Sequence, residues 1–92
     1  MENGIQGIRA DQVNYEKASI SELAIAISLD WKNVNYAAKP YLDAMGDLES
    51  VKDHYGADTG YSIVAYFLAN ASTYRGPVAK EIKKELNKRL KS

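Results

Sequence analysis

Thr59-Gly60-Tyr61-Ser62-Ile63-Val64-Ala65-Tyr66-Phe67-Leu68-Ala69-Asn70-Ala71 is interrupted by polar side chains only at Ser62 and Asn70 once past its threonine-glycine start. A helix that is apolar on every side is a buried helix, covered by several neighbours. The run falls short of the ~20 apolar residues a bilayer crossing requires, so no membrane partner is implied. The stretch therefore predicts a central buried helix over 59–71, either within a small helical domain or with one side in a subunit interface.

Upstream of it, Gly56 follows His54 and Tyr55 and reads as a helix C-terminal cap. Asp58 or Thr59 then caps the central helix. Trp31, Val34, Ala38, Tyr41, Met45, Leu48 and Val51 recur at steps of three and four, a helical stripe that begins after a capping Asp30. The stripe runs through Pro40, which removes a hydrogen bond and clashes with the preceding turn. A second helix kinked at Pro40 is the expectation. Ser19 and Glu22 have capping-box spacing ahead of Ile20, Leu23, Ile25, Ala26, Ile27 and Leu29, which predicts a first helix over 20–29, with a short strand the alternative its β-branched isoleucines allow. Residues 1–18 lack a sustained period and read as a flexible or docking arm, leaving 19–92 as one helical domain.

Downstream, Ser72-Thr73-Tyr74-Arg75-Gly76-Pro77 is a turn by composition. Pro77 suits the first position of a last helix, whose narrow apolar stripe is Val78, Ile82, Leu86 and Leu90. The expected fold is all-α: a small bundle of four helices around the central one.

A chain of 92 residues makes one domain, and a core of this size profits from association. There is no cysteine, which excludes disulfides, thiolate metal sites and cysteine nucleophiles. No signal-peptide pattern opens the sequence, so a cytoplasmic location is expected. Net charge is zero but unevenly placed: residues 75–92 carry seven basic and two acidic side chains, leaving five basic and ten acidic before them. Such a split favours self-association or an anionic partner at the basic end. Seven tyrosines are spread along the chain, a residue favoured at interfaces.

No enzymatic constellation is legible, and no cofactor is implied. His54 is the one histidine; with Asp43 and Asp47 it would make an oxygen-rich metal site only if all three shared a helix face, and a solvated acidic face is the commoner meaning of that pattern. The most suggestive feature is the turn before the last helix. Thr73, Tyr74, Arg75 and Lys80 surround a helix N-terminus, where exposed N–H groups and the dipole attract anions. An anionic small ligand such as a nucleotide would meet Arg75 with its phosphate and Tyr74 with its base. The plainer reading is an ordinary capped turn. A homo-oligomer with Tyr61 or Tyr66 at the contact is expected from the apolar central helix. Nucleic acid bound by the lysines of the last helix ranks below a protein partner, because Glu81 and Glu85 sit among them.

Tyr55-Gly56-Ala57-Asp58-Thr59-Gly60, the run from Ile63 to Ala71, Tyr74-Arg75-Gly76, Ala79, Ile82-Lys83 and Glu85-Leu86 together resemble a type of small accessory protein encoded by tailed bacteriophages and prophages. The resemblance covers roughly residues 55–90. It implies a non-enzymatic protein that acts by binding, docking on a host protein or sequestering a host defence signal, with subunits that associate. It brings no catalytic residues.

Overall fold

The computed structural model describes residues 13–92. Among these the fold is mostly helical: α1 (Ile20–Asp30), α2 (Lys39–Met45), a hairpin of β1 (His54–Tyr55) and β2 (Asp58–Thr59), α3 (Gly60–Ala69) and α4 (Pro77–Leu90). One continuous core joins them.

The first helix begins where Ser19 and Glu22 place it. Ser19 Oγ accepts the Glu22 N–H and Glu22 Oε1 accepts the Ser19 N–H, the reciprocal capping box. The next donors at this end, Ile20 N–H and Ser21 N–H, reach the carbonyls of Glu49 and Leu48. Ile20, Leu23, Ala24 and Ile27 form the buried stripe, with Ala26 beside it, while Ile25 and Leu29 face outward.

The expected second helix is where the structure departs furthest from periodicity. Residues 31–38 are not helical, and Asp30 ends α1 instead of capping a helix. Trp31 and Ala38 are nonetheless buried, so the stripe records burial without helix. Asn35 turns the chain: its side chain accepts the Ala37 N–H and its carbonyl accepts those of Ala38 and Lys39. Pro40 then lies in the first turn of α2, where its missing N–H has no helical partner to lose. It starts a short helix; it does not kink a long one. Gly56 likewise caps no helix. It holds φ +63° as the first of two turn residues in the hairpin, the position where a II′ turn needs glycine.

The central helix is shorter than expected and buried on one side only. Thr59 caps it, accepting the Ser62 N–H. Gly60, Ile63, Val64 and Phe67 are buried, at i, i+3, i+4 and i+7, whereas Ala65, Tyr66 and Ala69 are exposed. The expectation of burial all round is thus corrected: α3 packs on α2 and α4 and leaves an apolar flank uncovered. Gly60 is required by close approach, since a Cβ there would lie 2.7 Å from the Val51 carbonyl oxygen.

On α4, Ala79, Ile82 and Leu86 are buried, with Val78 and Leu90 at the margin. Glu85 is buried too, paired with Arg89 Nε at 2.6 Å. Arg89 Nη2 donates to the carbonyls of Tyr15, Glu16 and Ala18 at 3.0, 3.2 and 2.9 Å. Residues 13–18 of the expected arm therefore lie along α4; its residues 1–12 fall outside the described part.

Candidate functional site

Backbone geometry decides what the two tyrosine-bearing regions can do. In the turn before α4, Ala71 and Tyr74 face inward while Ser72, Thr73 and Arg75 face solvent. Tyr74 is 1% exposed. Its ring stacks on Trp31 at 4.9 Å and 17°, and Trp31 in turn meets Phe67 edge-on. Its hydroxyl donates to Asp30 Oδ2 at 2.9 Å. Burial, then this hydrogen bond and the Asp30 charge, push the phenol far above its usual range. Lys83 donates from Nζ to the Tyr74 carbonyl and sits 5.7 Å from the ring centroid. Burial, with the charge of Arg75, pushes this ammonium down.

Of the four residues expected to hold an anion, Thr73, Arg75 and Lys80 are exposed and Tyr74 is not. The ring that was to stack on a base is already stacked on Trp31, which removes it from any solvent-facing site and corrects that role. Among the described residues Arg75 makes only a long hydrogen bond, 3.4 Å from Nε to the Ser72 carbonyl, and Gly76 caps α4 without a side chain.

The basic face of α4 is also partly committed inward. Lys83 holds the Tyr74 carbonyl, and Arg89 holds Glu85 and the carbonyls of Tyr15, Glu16 and Ala18. Lys80, Lys84, Lys88 and Lys91 remain outward among the described residues, Lys88 3.6 Å from the exposed Glu16. The acidic face read from Asp43, Asp47 and His54 does not exist as one helix side: α2 ends at Met45, Asp43 pairs with Lys39 at 3.6 Å, and His54 lies in β1.

The other tyrosine region is open. Tyr66 is 54% exposed and its ring lies 5.5 Å from that of Tyr41 at a tilt of 39°. Tyr41, Tyr66, Tyr55, Pro40, Ala44, Ile63 and Asp58 line a groove of about 290 Å³ between α2, the hairpin and α3. Three causes bring these side chains together. Pro40 and Tyr41 open α2, Tyr66 occupies the uncovered flank of α3, and the register of the hairpin sets Tyr55 directly opposite Asp58. Cross-strand partners share a face, so ring and carboxylate stand side by side. Tyr36, 86% exposed, lies in the loop that Asn35 ties to the Asn70 carbonyl at the end of α3.

Tyr66 was singled out by sequence; Tyr41, Tyr55, Pro40 and Asp58 were not. Tyr41 falls on the helical stripe that reads as core, and two-residue strands carry no period by which Tyr55 and Asp58 can be paired. Tyr61, the other expected interface residue, is half-buried and donates its hydroxyl to the Ser92 carbonyl at 3.0 Å. A second uncovered apolar strip, Ile25 and Leu29 of α1 beside Leu42, lies on the α1–α2 side. Among the described residues no helix is long and apolar enough to cross a membrane. No family model matches the chain, and neither a curated protein nor a solved structure matches it.

Proposed function

We propose that this chain is a non-enzymatic accessory protein of the phage type, acting in the host cytoplasm by binding a host protein through the Tyr41–Tyr55–Tyr66 face. The observation that carries the reading is the exposure of the Tyr55 and Tyr66 rings, with Tyr41 part-buried beside them. Tyr66 and Tyr55 are 54% and 44% exposed in a chain whose other large apolar side chains mostly fill the core. Tyrosine supplies broad contact area with few rotatable bonds to order, which is why interfaces concentrate it. The resemblance over residues 55–90 supplies the phage context, and the groove supplies the surface.

Sequestration of a nucleotide by Thr73, Arg75 and Lys80 is the weaker reading, because Tyr74 is withdrawn into the core. Binding of nucleic acid by α4 is weakened in the same way, by the inward commitment of Lys83 and Arg89. The expected homo-oligomer would use the same uncovered flank, centred on Tyr66 and not Tyr61. The deciding experiment is capture from host lysate with wild type and Tyr66→Asp in parallel, each with its mass measured by light scattering. A host protein retained by wild type and lost with Tyr66→Asp supports docking. Equal capture by both forms removes this face from the function.

A further inference from the structure

We infer that the groove between Tyr41, Tyr55 and Tyr66 is a receptor for a cationic side chain, an arginine or lysine presented by the partner protein. The inference rests on the docking reading above and names its chemistry. Three aromatic rings line the groove, and Asp58 is the one charged residue among its described walls. Aromatic faces carry negative potential and attract cations held over them. The Asp58 carboxylate stands in no ion pair with the described residues, and the hairpin register fixes it beside Tyr55. The hydroxyls of Tyr41, Tyr55 and Tyr66 hold no hydrogen bond among the described residues, so their oxygens are free to accept from a guanidinium or ammonium. Residues 39–58, which supply most of the walls, carry five acidic side chains against Lys39 and Lys52, with Lys39 paired to Asp43.

The complement of such a site is positive and long enough to reach between rings. Its walls Pro40, Tyr55, Asp58 and Tyr66 are exposed while Ala44 and Ile63 are buried, whereas pockets for free small molecules enclose most of their ligand. A cation seated here therefore arrives on a chain whose remainder spreads over the flanking surface, including the exposed Ala65 and Ala69 of α3.

The test uses capped glycine-serine peptides carrying one central arginine, lysine, citrulline or norleucine, titrated to about 10 mM against the labelled chain while tyrosine ring resonances are followed. Arginine and lysine peptides should shift the Tyr41, Tyr55 and Tyr66 rings, with apparent affinities about three- to tenfold above citrulline and norleucine. Tyr66→Phe should keep this preference. Tyr66→Leu, which retains apolar area without a ring, and Asp58→Asn should each weaken the arginine peptide about threefold or more. Both positions are exposed, and circular dichroism checks that each variant folds. Equal affinity for norleucine and arginine, or full binding by Tyr66→Leu, would overturn the inference. So would an absence of ring shifts with every peptide. A self-association that Asp58→Asn abolishes would assign the groove to a lysine of a second copy and overturn the separate partner. Capture of a host protein that depends on Tyr66 but is indifferent to Asp58→Asn would leave docking standing and remove only the cation.

Discussion

Tyr66 and Tyr74 lie eight residues apart, one in the apolar run of α3 and one in the polar turn after it, and each is put to the use its setting would not suggest. Tyr74 has its ring against Trp31, its hydroxyl on Asp30 and its carbonyl on Lys83. Tyr66 leans on Tyr41 and offers the rest of itself to solvent. The lesson concerns what a tyrosine in a turn or on a helix signifies. A phenol that finds both a ring and a hydroxyl partner inside the chain is structural, however functional its neighbours look. One whose hydroxyl finds none is available to another molecule.

The sharpest way to break this comparison is to remove each ring. Tyr74→Ala should cost about 3–5 kcal/mol, the range for a fully buried aromatic ring, and in a domain this small it approaches complete unfolding. Urea denaturation measures it; a midpoint near wild type would show that the Trp31 stack is dispensable.

A subtler cut separates ring from hydroxyl. Tyr74→Phe keeps the stack and strands the Asp30 carboxylate, at about 1–2 kcal/mol. It should also change the alkaline limb of stability. Burial and Asp30 favour the neutral phenol, so its folded pKa lies above the unfolded value of about 10. The stabilisation is complete below about pH 10 and is lost as pH rises through the folded value. Wild type should therefore lose stability more steeply than Tyr74→Phe above about pH 10. Parallel slopes for the two proteins would mean that Asp30 does not hold the hydroxyl in solution.

The smallest expected effect on stability is at Tyr66. Tyr66→Ala should cost about 1 kcal/mol or less, since the ring is half in water and loses only Tyr41. Partner capture should nonetheless disappear. A large loss of thermal stability would turn Tyr66 into a core residue and close the contrast with Tyr74.

What was legible in the sequence follows the strength of local signals. The Ser19–Glu22 box placed α1, the Asp58-Thr59 pair placed the start of α3, and Gly76-Pro77 placed the start of α4, because caps act within one turn of chain. The stripe from Trp31 to Val51 marked residues that are mostly buried but misstated how: Trp31 and Ala38 reach the core from a loop folded by Asn35. Periodicity reports burial, and a loop can bury side chains at helical intervals by chance. The one-sided burial of α3 was hidden for a related reason. Composition says that Tyr66 and Ala65 are apolar enough to be covered, but not whether a neighbour exists to cover them. The groove was illegible because it joins α2, α3 and a hairpin whose strands are two residues long.

Arg89 ties residues 71 to 74 positions distant in the chain. Closing a loop of that length from a disordered chain costs about 4 kcal/mol beyond the constant term, so this knot cannot nucleate the fold. It becomes favourable only after α1 and α4 have packed and shortened the effective separation. The grip is thus expected to form late, after the transition state, and to govern how slowly the protein comes apart more than how fast it assembles. Arg89→Ala should leave the refolding arm of a chevron almost unmoved and steepen the rate of unfolding several-fold, with the described N-terminal residues 13–18 the first to open to hydrogen exchange.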